Sequence, residues 1–170
     1  MSARWRLYFP RIQIRLGVAA LLAFAVQFVV TDLRGISQDL REFILVGSYL
    51  LALVFIAANI TRPGIVLIGA GLLLNFAAIL ANGGLMPTTP ATMADAGYDL
   101  PAHVGPGDWI PKTKDVLLAR EDVNLWFLGD RLVVQDLPRF RAFSIGDVVI
   151  AAGLFVTLCD LLLPRPQRRT

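Results

Sequence analysis

Two Gly-Asp pairs, Gly129-Asp130 and Gly146-Asp147, stand seventeen residues apart, and the second opens a long apolar run. Two carboxylates that share a site divide their protonation, one acting as base toward water and the other as acid, which is the chemistry of aspartic proteases. Arg131, beside Asp130, would favour the charged form of its neighbour or orient a substrate carbonyl or phosphate. Each acid also has a structural use. Ser144-Ile145-Gly146-Asp147 fits a capping box, in which the serine side chain accepts from the amide three residues on and the acid reaches back to the serine amide. Gly129-Asp130-Arg131 fits a turn with a surface ion pair.

Other chemistries find few residues. His103 is the only histidine and Cys159 the only cysteine, which leaves no material for a His/Cys metal site, a haem held by two histidines or a Cys-His nucleophile. No serine is placed with His103 to form a triad. The expectation is therefore no metal and no cofactor. A lone cysteine forms no intramolecular disulfide, so any outer loop must hold its shape without one.

The elements that position these acids follow from composition. Hydrophobic residues make up 56% of the 170, charged residues only 17%, and the mean hydropathy is +0.63, far from a soluble average. Four apolar runs, 16–30, 43–60, 65–81 and 143–163, would each span roughly 22–32 Å as helices, close to a hydrocarbon core of about 30 Å. Arg4, Arg6, Arg11 and Arg15 precede the first run, Arg62 lies between the second and third, and Arg165, Arg168 and Arg169 follow the fourth. None has an acidic neighbour in its segment, so the positive-inside rule puts both termini in the cytoplasm. The segment 82–142, with six bases against eight acids, then lies outside. The predicted fold is an all-α integral membrane protein, one domain over residues 1–170, with four transmembrane helices and a structured extracytoplasmic loop between the third and fourth. Although the isoelectric point is near 9.5, this distribution of charge points to the lipid bilayer and to other membrane subunits as partners, not to nucleic acid.

Within the runs, polar and small residues share helical faces: Ser48, Ala52 and Asn59 in the second, and Gly71, Asn75, Ala78 and Asn82 in the third. Such stripes mark helix contacts, with Asn59, Asn75 and Asn82 as the polar members. In the loop, residues 89–97 carry an N-cap threonine, a first-turn proline and a glycine stop, which predicts a two-turn helix. Residues 115–120 read as a second short helix. Tyr98, Trp109 and Trp126 suit a loop lying in the headgroup layer.

Four landmarks, Asn82-Gly83-Gly84-Leu85-Met86-Pro87, Pro111-Lys112-Thr113-Lys114-Asp115-Val116-Leu117-Leu118, Leu125-Trp126-Phe127-Leu128-Gly129-Asp130 and Phe143-Ser144-Ile145-Gly146-Asp147-Val148-Val149-Ile150, resemble in order and spacing the bacterial membrane family catalogued as domain of unknown function 5317. The resemblance covers roughly residues 40–163. It implies a four-helix protein of the bacterial inner membrane and brings no known activity. A second, local resemblance joins Leu128-Gly129-Asp130-Arg131-Leu132 and Phe143-Ser144-Ile145-Gly146-Asp147 to the paired motifs of lipoprotein signal peptidase. That resemblance implies Asp130 and Asp147 as a catalytic dyad, with Phe127, Ser144 and Gly146 departing from the peptidase pattern. The functional expectation is a non-catalytic accessory, scaffold or assembly subunit of a larger membrane complex. The alternative is an aspartyl peptidase-like membrane enzyme using Asp130 and Asp147.

Overall fold

Residues 15–33, 35–135 and 142–162 are described in the computed structural model, and most of them are helical. Helix α1 spans Gly17–Asp32, α2 Gln38–Ala58 and α3 Pro63–Ala81; a short α4, Pro90–Asp95, belongs to the following cap, and α5 spans Ile145–Leu162. With 21, 19 and 18 residues, α2, α3 and α5 are about 27–32 Å long. All three are long and apolar enough to cross a membrane. Helix α1 is apolar but shorter, at 16 residues.

Asp39, Arg41 and Glu42 belong to α2 rather than to a loop. Ser37 caps the helix by accepting from the Leu40 amide at 3.3 Å, so the helix starts five residues before the expected border at 43. Arg41 is tolerated there because its guanidinium turns inward. It donates to the carbonyls of Val30 and Leu33, meeting the unpaired carbonyl end of α1, and it lies 3.6 Å from the Trp109 ring centroid. At the other end of this helix pair, Asn59 donates to Arg15 O at 2.8 Å and accepts from Arg15 N at 3.0 Å. The turn into α3 places Pro63 at the first helical position, where its missing N–H costs nothing.

Helix α3 lies between α2 and α5, and α1 packs on α2. The α3–α5 contact is made by glycines. A Cβ on Gly146 would stand 2.7 Å from Gly71 O, and one on Gly153 would stand 2.6 Å from Ile68 N. The two backbones are therefore as close as glycine alone allows. Helix α5 buries Gly146 and Gly153 and exposes Val148, Leu154, Phe155, Leu158 and Leu162. Small residues inward and large apolar residues outward is the reverse of a water-soluble helix, and it suits lipid, where helix association relies on close packing rather than hydrophobic exclusion.

Between α3 and α5 the chain builds a cap containing two small sheets, so the fold is mostly helical rather than all-α. Strand β1, Met86–Thr88, pairs in parallel with β2, Asp115–Leu117, with Met86 opposite Asp115. Strands β3, Leu132–Val133, and β4, Ala142–Phe143, pair antiparallel. The expected helix at 115–120 is thus corrected: its first three residues are a strand, and only Arg120–Asp122 form a short 3₁₀ turn. Helix α4 forms with Thr89 accepting from Thr92 N at 3.2 Å. The cap closes on the helices through one core, in which Leu85, Met86, Val116 and Leu128 meet Leu45 and Tyr49 of α2 and Ala78 and Ile79 of α3.

Substitution of Gly153 by leucine should force α5 away from α3 and cost about 1–3 kcal/mol or more, as overpacking of a close contact does. A Cβ on Gly47 would meet nothing within 4 Å, so Gly47→Ala should leave stability unchanged or slightly raised. Thermal unfolding of both variants in detergent checks the contrast; equal effects would refute the glycine contact.

Candidate functional site where the cap meets the helices

The first amides of a helix need acceptors, and α5 finds one in the residue just before it. Ser144 Oγ accepts from Asp147 N at 2.9 Å, and Asp147 Oδ2 accepts from Ser144 N at 3.0 Å. This reciprocal pair is itself engaged by α3. Asn75 donates through Nδ2 to Asp147 Oδ1 at 2.7 Å, and its Oδ1 accepts from Ser144 Oγ at 2.7 Å. One buried amide therefore ties α3 to the start of α5, and the contact of Gly146 with Asn75 allows it.

The cap brings the opposing charge. In the β1–β2 pairing, Lys114 O accepts from Met86 N at 3.1 Å, which carries the lysine to the ends of the helices. Its ammonium lies 3.8 Å from Asp130 Oδ2 and 3.8 Å from Asp147 Oδ1. Asp130 arrives from the turn after the 3₁₀ segment Trp126–Leu128. Its amide donates to Pro87 O at 3.1 Å, and its carbonyl accepts from Thr88 Oγ1 at 3.1 Å. A Cβ on the preceding Gly129 would stand 2.7 Å from Pro87 O, so the turn can press against β1 only with glycine there.

Asp115, the residue after the lysine, is close enough to Asp130 for the two carboxyls to interact. Each of these two acids keeps one buried oxygen, Oδ1, without a donor, which favours the protonated form of a carboxyl over the ionised one. Burial first, and the charge of Asp147 after it, push Asp115 up to about 6 against the pull of Lys114. Burial likewise pushes Asp130 well above the ordinary carboxylate range; Lys114 opposes this, while Asp115 and Asp147 add to it. Burial disfavours the Lys114 ammonium, but Asp130, Tyr49, Asp147 and Asp115 outweigh it and hold its pKa well above the usual lysine range.

Asp130 and Asp147 thus stand on either side of one lysine. Asp130 pairs with Lys114 and Asp115 rather than with Arg131, whose guanidinium instead lies 4.6 Å from the Trp126 ring centroid. Asp147 has both oxygens occupied by Ser144, Asn75 and Lys114. Asn75 makes a helix contact, whereas Asn59 closes on the start of α1 and Asn82 turns to the cap, exchanging hydrogen bonds with the Asn124 backbone at 2.8 and 2.9 Å. Among the described residues no three His, Cys, Asp or Glu side chains are grouped as metal ligands. Lys114 and Asp115 were not singled out as site residues from the sequence. Their signal was adjacency: a lysine and an aspartate side by side in a segment otherwise turning toward an apolar strand.

Lys114→Met should leave acids buried without their cation and cost up to about 3 kcal/mol, the low end for a broken buried pair because the lysine is half-buried. The cost should be smaller at pH 5, where the acids take up protons, than at pH 8. In the wild-type chain, Asp115 holds in the folded state a proton that the unfolded chain releases near pH 4. Its contribution to stability therefore falls as pH rises from about 4 to about 6. Asp115→Asn, which keeps a donor for Asp130 and does not titrate, should flatten that slope in thermal unfolding measured across the same range; an unchanged slope would exclude Asp115 as its source.

No curated protein and no solved structure matches the chain. A family model described as a family of unknown function, DUF5317, matches residues 11–159, which include α1–α3, the cap with both carboxylate positions, and most of α5. The chain therefore belongs to the DUF5317 family.

Proposed function

We propose that the protein resides in the bacterial inner membrane, crosses it four times with both termini in the cytoplasm, and serves as a non-catalytic accessory or assembly subunit of a larger membrane complex. The unopposed arginines flanking the apolar runs support the orientation. The observation that carries the functional reading is the closed state of the junction. Asp130 and Asp147 are both engaged by Lys114, and the Oδ1 atoms of Asp115 and Asp130 are buried away from water. A general base must reach the proton it removes directly or through one water; this cluster instead fastens the cap. With the cap fastened, Leu125, Trp126 and Phe127 are presented outward, an apolar surface suited to a neighbouring membrane subunit.

The aspartyl peptidase-like alternative draws on one observation, the convergence of Asp130 and Asp147 on a common cation. It requires Lys114 to withdraw and the buried Asp130 to open to water.

In a Cys159→Ala background, a cysteine replacing the exposed Ala102 should react with an impermeant maleimide on intact cells, and one replacing Thr170 should react only after permeabilisation; the opposite pattern would invert the orientation. Purification from native membranes in mild detergent should return a stoichiometric membrane-protein partner. Loss of Leu125 and Phe127 to alanine should weaken that association by about tenfold or more, as removal of central apolar anchors does. Isolation of a lone, folded protein that cleaves membrane peptides, with activity abolished by Asp130→Asn and by Asp147→Asn, would replace the accessory reading with the peptidase.

A further inference from the structure

Beside the junction, the cap encloses a cavity of about 360 Å³. Buried Thr88 and Thr92 and half-buried Thr89 line its inner wall, and the exposed Arg120, Arg131 and Trp126 line its mouth. The guanidinium carbons of Arg120 and Arg131 lie 5.0 and 4.6 Å from the Trp126 ring centroid, so one indole holds both. Neither arginine makes an ion pair among the described residues, whose ion pairs are those of Lys114. Both guanidiniums line the same cavity, so their positive charges add there, and an anion bound in it would offset them.

The inner wall supplies donors as well. Thr89 Oγ1 and Thr92 Oγ1 are 3.1 Å apart and share one hydrogen, which leaves the second hydroxyl hydrogen for a ligand. Two acids border the cavity. The exposed Asp95 is solvated, and Asp130 is engaged by Lys114 and Asp115. Several oxygens on one tetrahedral anion match two arginine forks and a hydroxyl better than a carboxylate does.

The position of the cavity identifies the source of that anion. The Trp126–Leu128 turn touches both α3 and α5, and Phe127 and Leu132 are exposed around it, so the mouth opens where these helices end. We infer that Arg120 and Arg131 bind the phosphate of an anionic phospholipid headgroup at this site. The choice of a lipid over a soluble phosphate rests on the membrane-spanning reading above; the phosphate chemistry does not.

The test uses the full-length protein purified in detergent and titrated separately with dihexanoyl phosphatidylglycerol, dihexanoyl phosphatidylcholine and inorganic phosphate, with binding read by calorimetry. Phosphatidylglycerol should bind saturably and more tightly than phosphatidylcholine. R120Q/R131Q should weaken it at least about tenfold, given the strength of charge-assisted hydrogen bonds. K112Q, at an exposed lysine lining a different cavity, should leave binding unchanged. If the double variant does not fold, R120Q alone serves, since Arg120 is exposed. Inorganic phosphate binding as tightly as the lipid would support the phosphate site and assign it to a soluble ester. Equal binding of the two lipids, or wild-type affinity in a folded arginine variant, would overturn the inference; the maleimide pattern tests the membrane reading independently.

Discussion

A lysine ammonium at the apolar end of a helix bundle must be compensated, because an unpaired charge in such surroundings is expensive. The residue before strand β2, Lys114, is carried there by the β1–β2 pairing, and the compensation comes from two directions: Asp130 from the cap and Asp147 from the first turn of α5, each 3.8 Å away. The rest of the junction depends on this arrangement. Asp147 is in position because Ser144 and Asn75 hold both its oxygens. Asn75 can reach across because Gly71 and Gly146 let α3 and α5 approach. Asp130 is in position because Gly129 lets its turn press on β1. Disturbing any of these contacts moves a charge that the others are arranged to neutralise.

The helices and the cap are stabilised by different physics that meet at this point. Along α3 and α5, large side chains face outward and glycines face inward, so contact rests on dispersion and backbone proximity. The cap behaves like a small soluble domain, burying Leu85, Met86, Val116 and Leu128 against Leu45, Tyr49, Ala78 and Ile79. The charge cluster sits at the boundary of these two environments, and burial there pushes the pKa values of Asp115 and Asp130 up. The ion-paired junction and the apolar, arginine-lined outer face beside it are the features on which the proposed accessory role rests.

Much of the helical framework was legible in the chain because it rests on local rules. Runs of apolar residues delimit α3 and α5 to within two residues of the observed ends, since a backbone in lipid must satisfy its own hydrogen bonds within the segment. The Ser144–Asp147 reciprocal bonds and the Thr89 cap involve groups three residues apart, so spacing alone specified them. The start of α2 lies five residues before the apolar run begins, because Arg41 is buried where α1 ends beside it and Trp109 covers it.

What tertiary structure decided is which distant groups meet. Residues 115–117 are a strand because Met86–Thr88 lies alongside to take their hydrogen bonds, a partner that no local pattern names. Asp130 faces Lys114 and Asp115 instead of its neighbour Arg131 because the β1–β2 pairing and the Gly129 turn set its direction, and Arg131 finds the Trp126 ring instead. The sequence by itself determined the segments able to form helices, the caps that start them and the residue types available for chemistry. Whether two acids become a catalytic pair or the compensation for a lysine depends on contacts between segments far apart in the chain, whose energies exist only once the cap has closed on the helices.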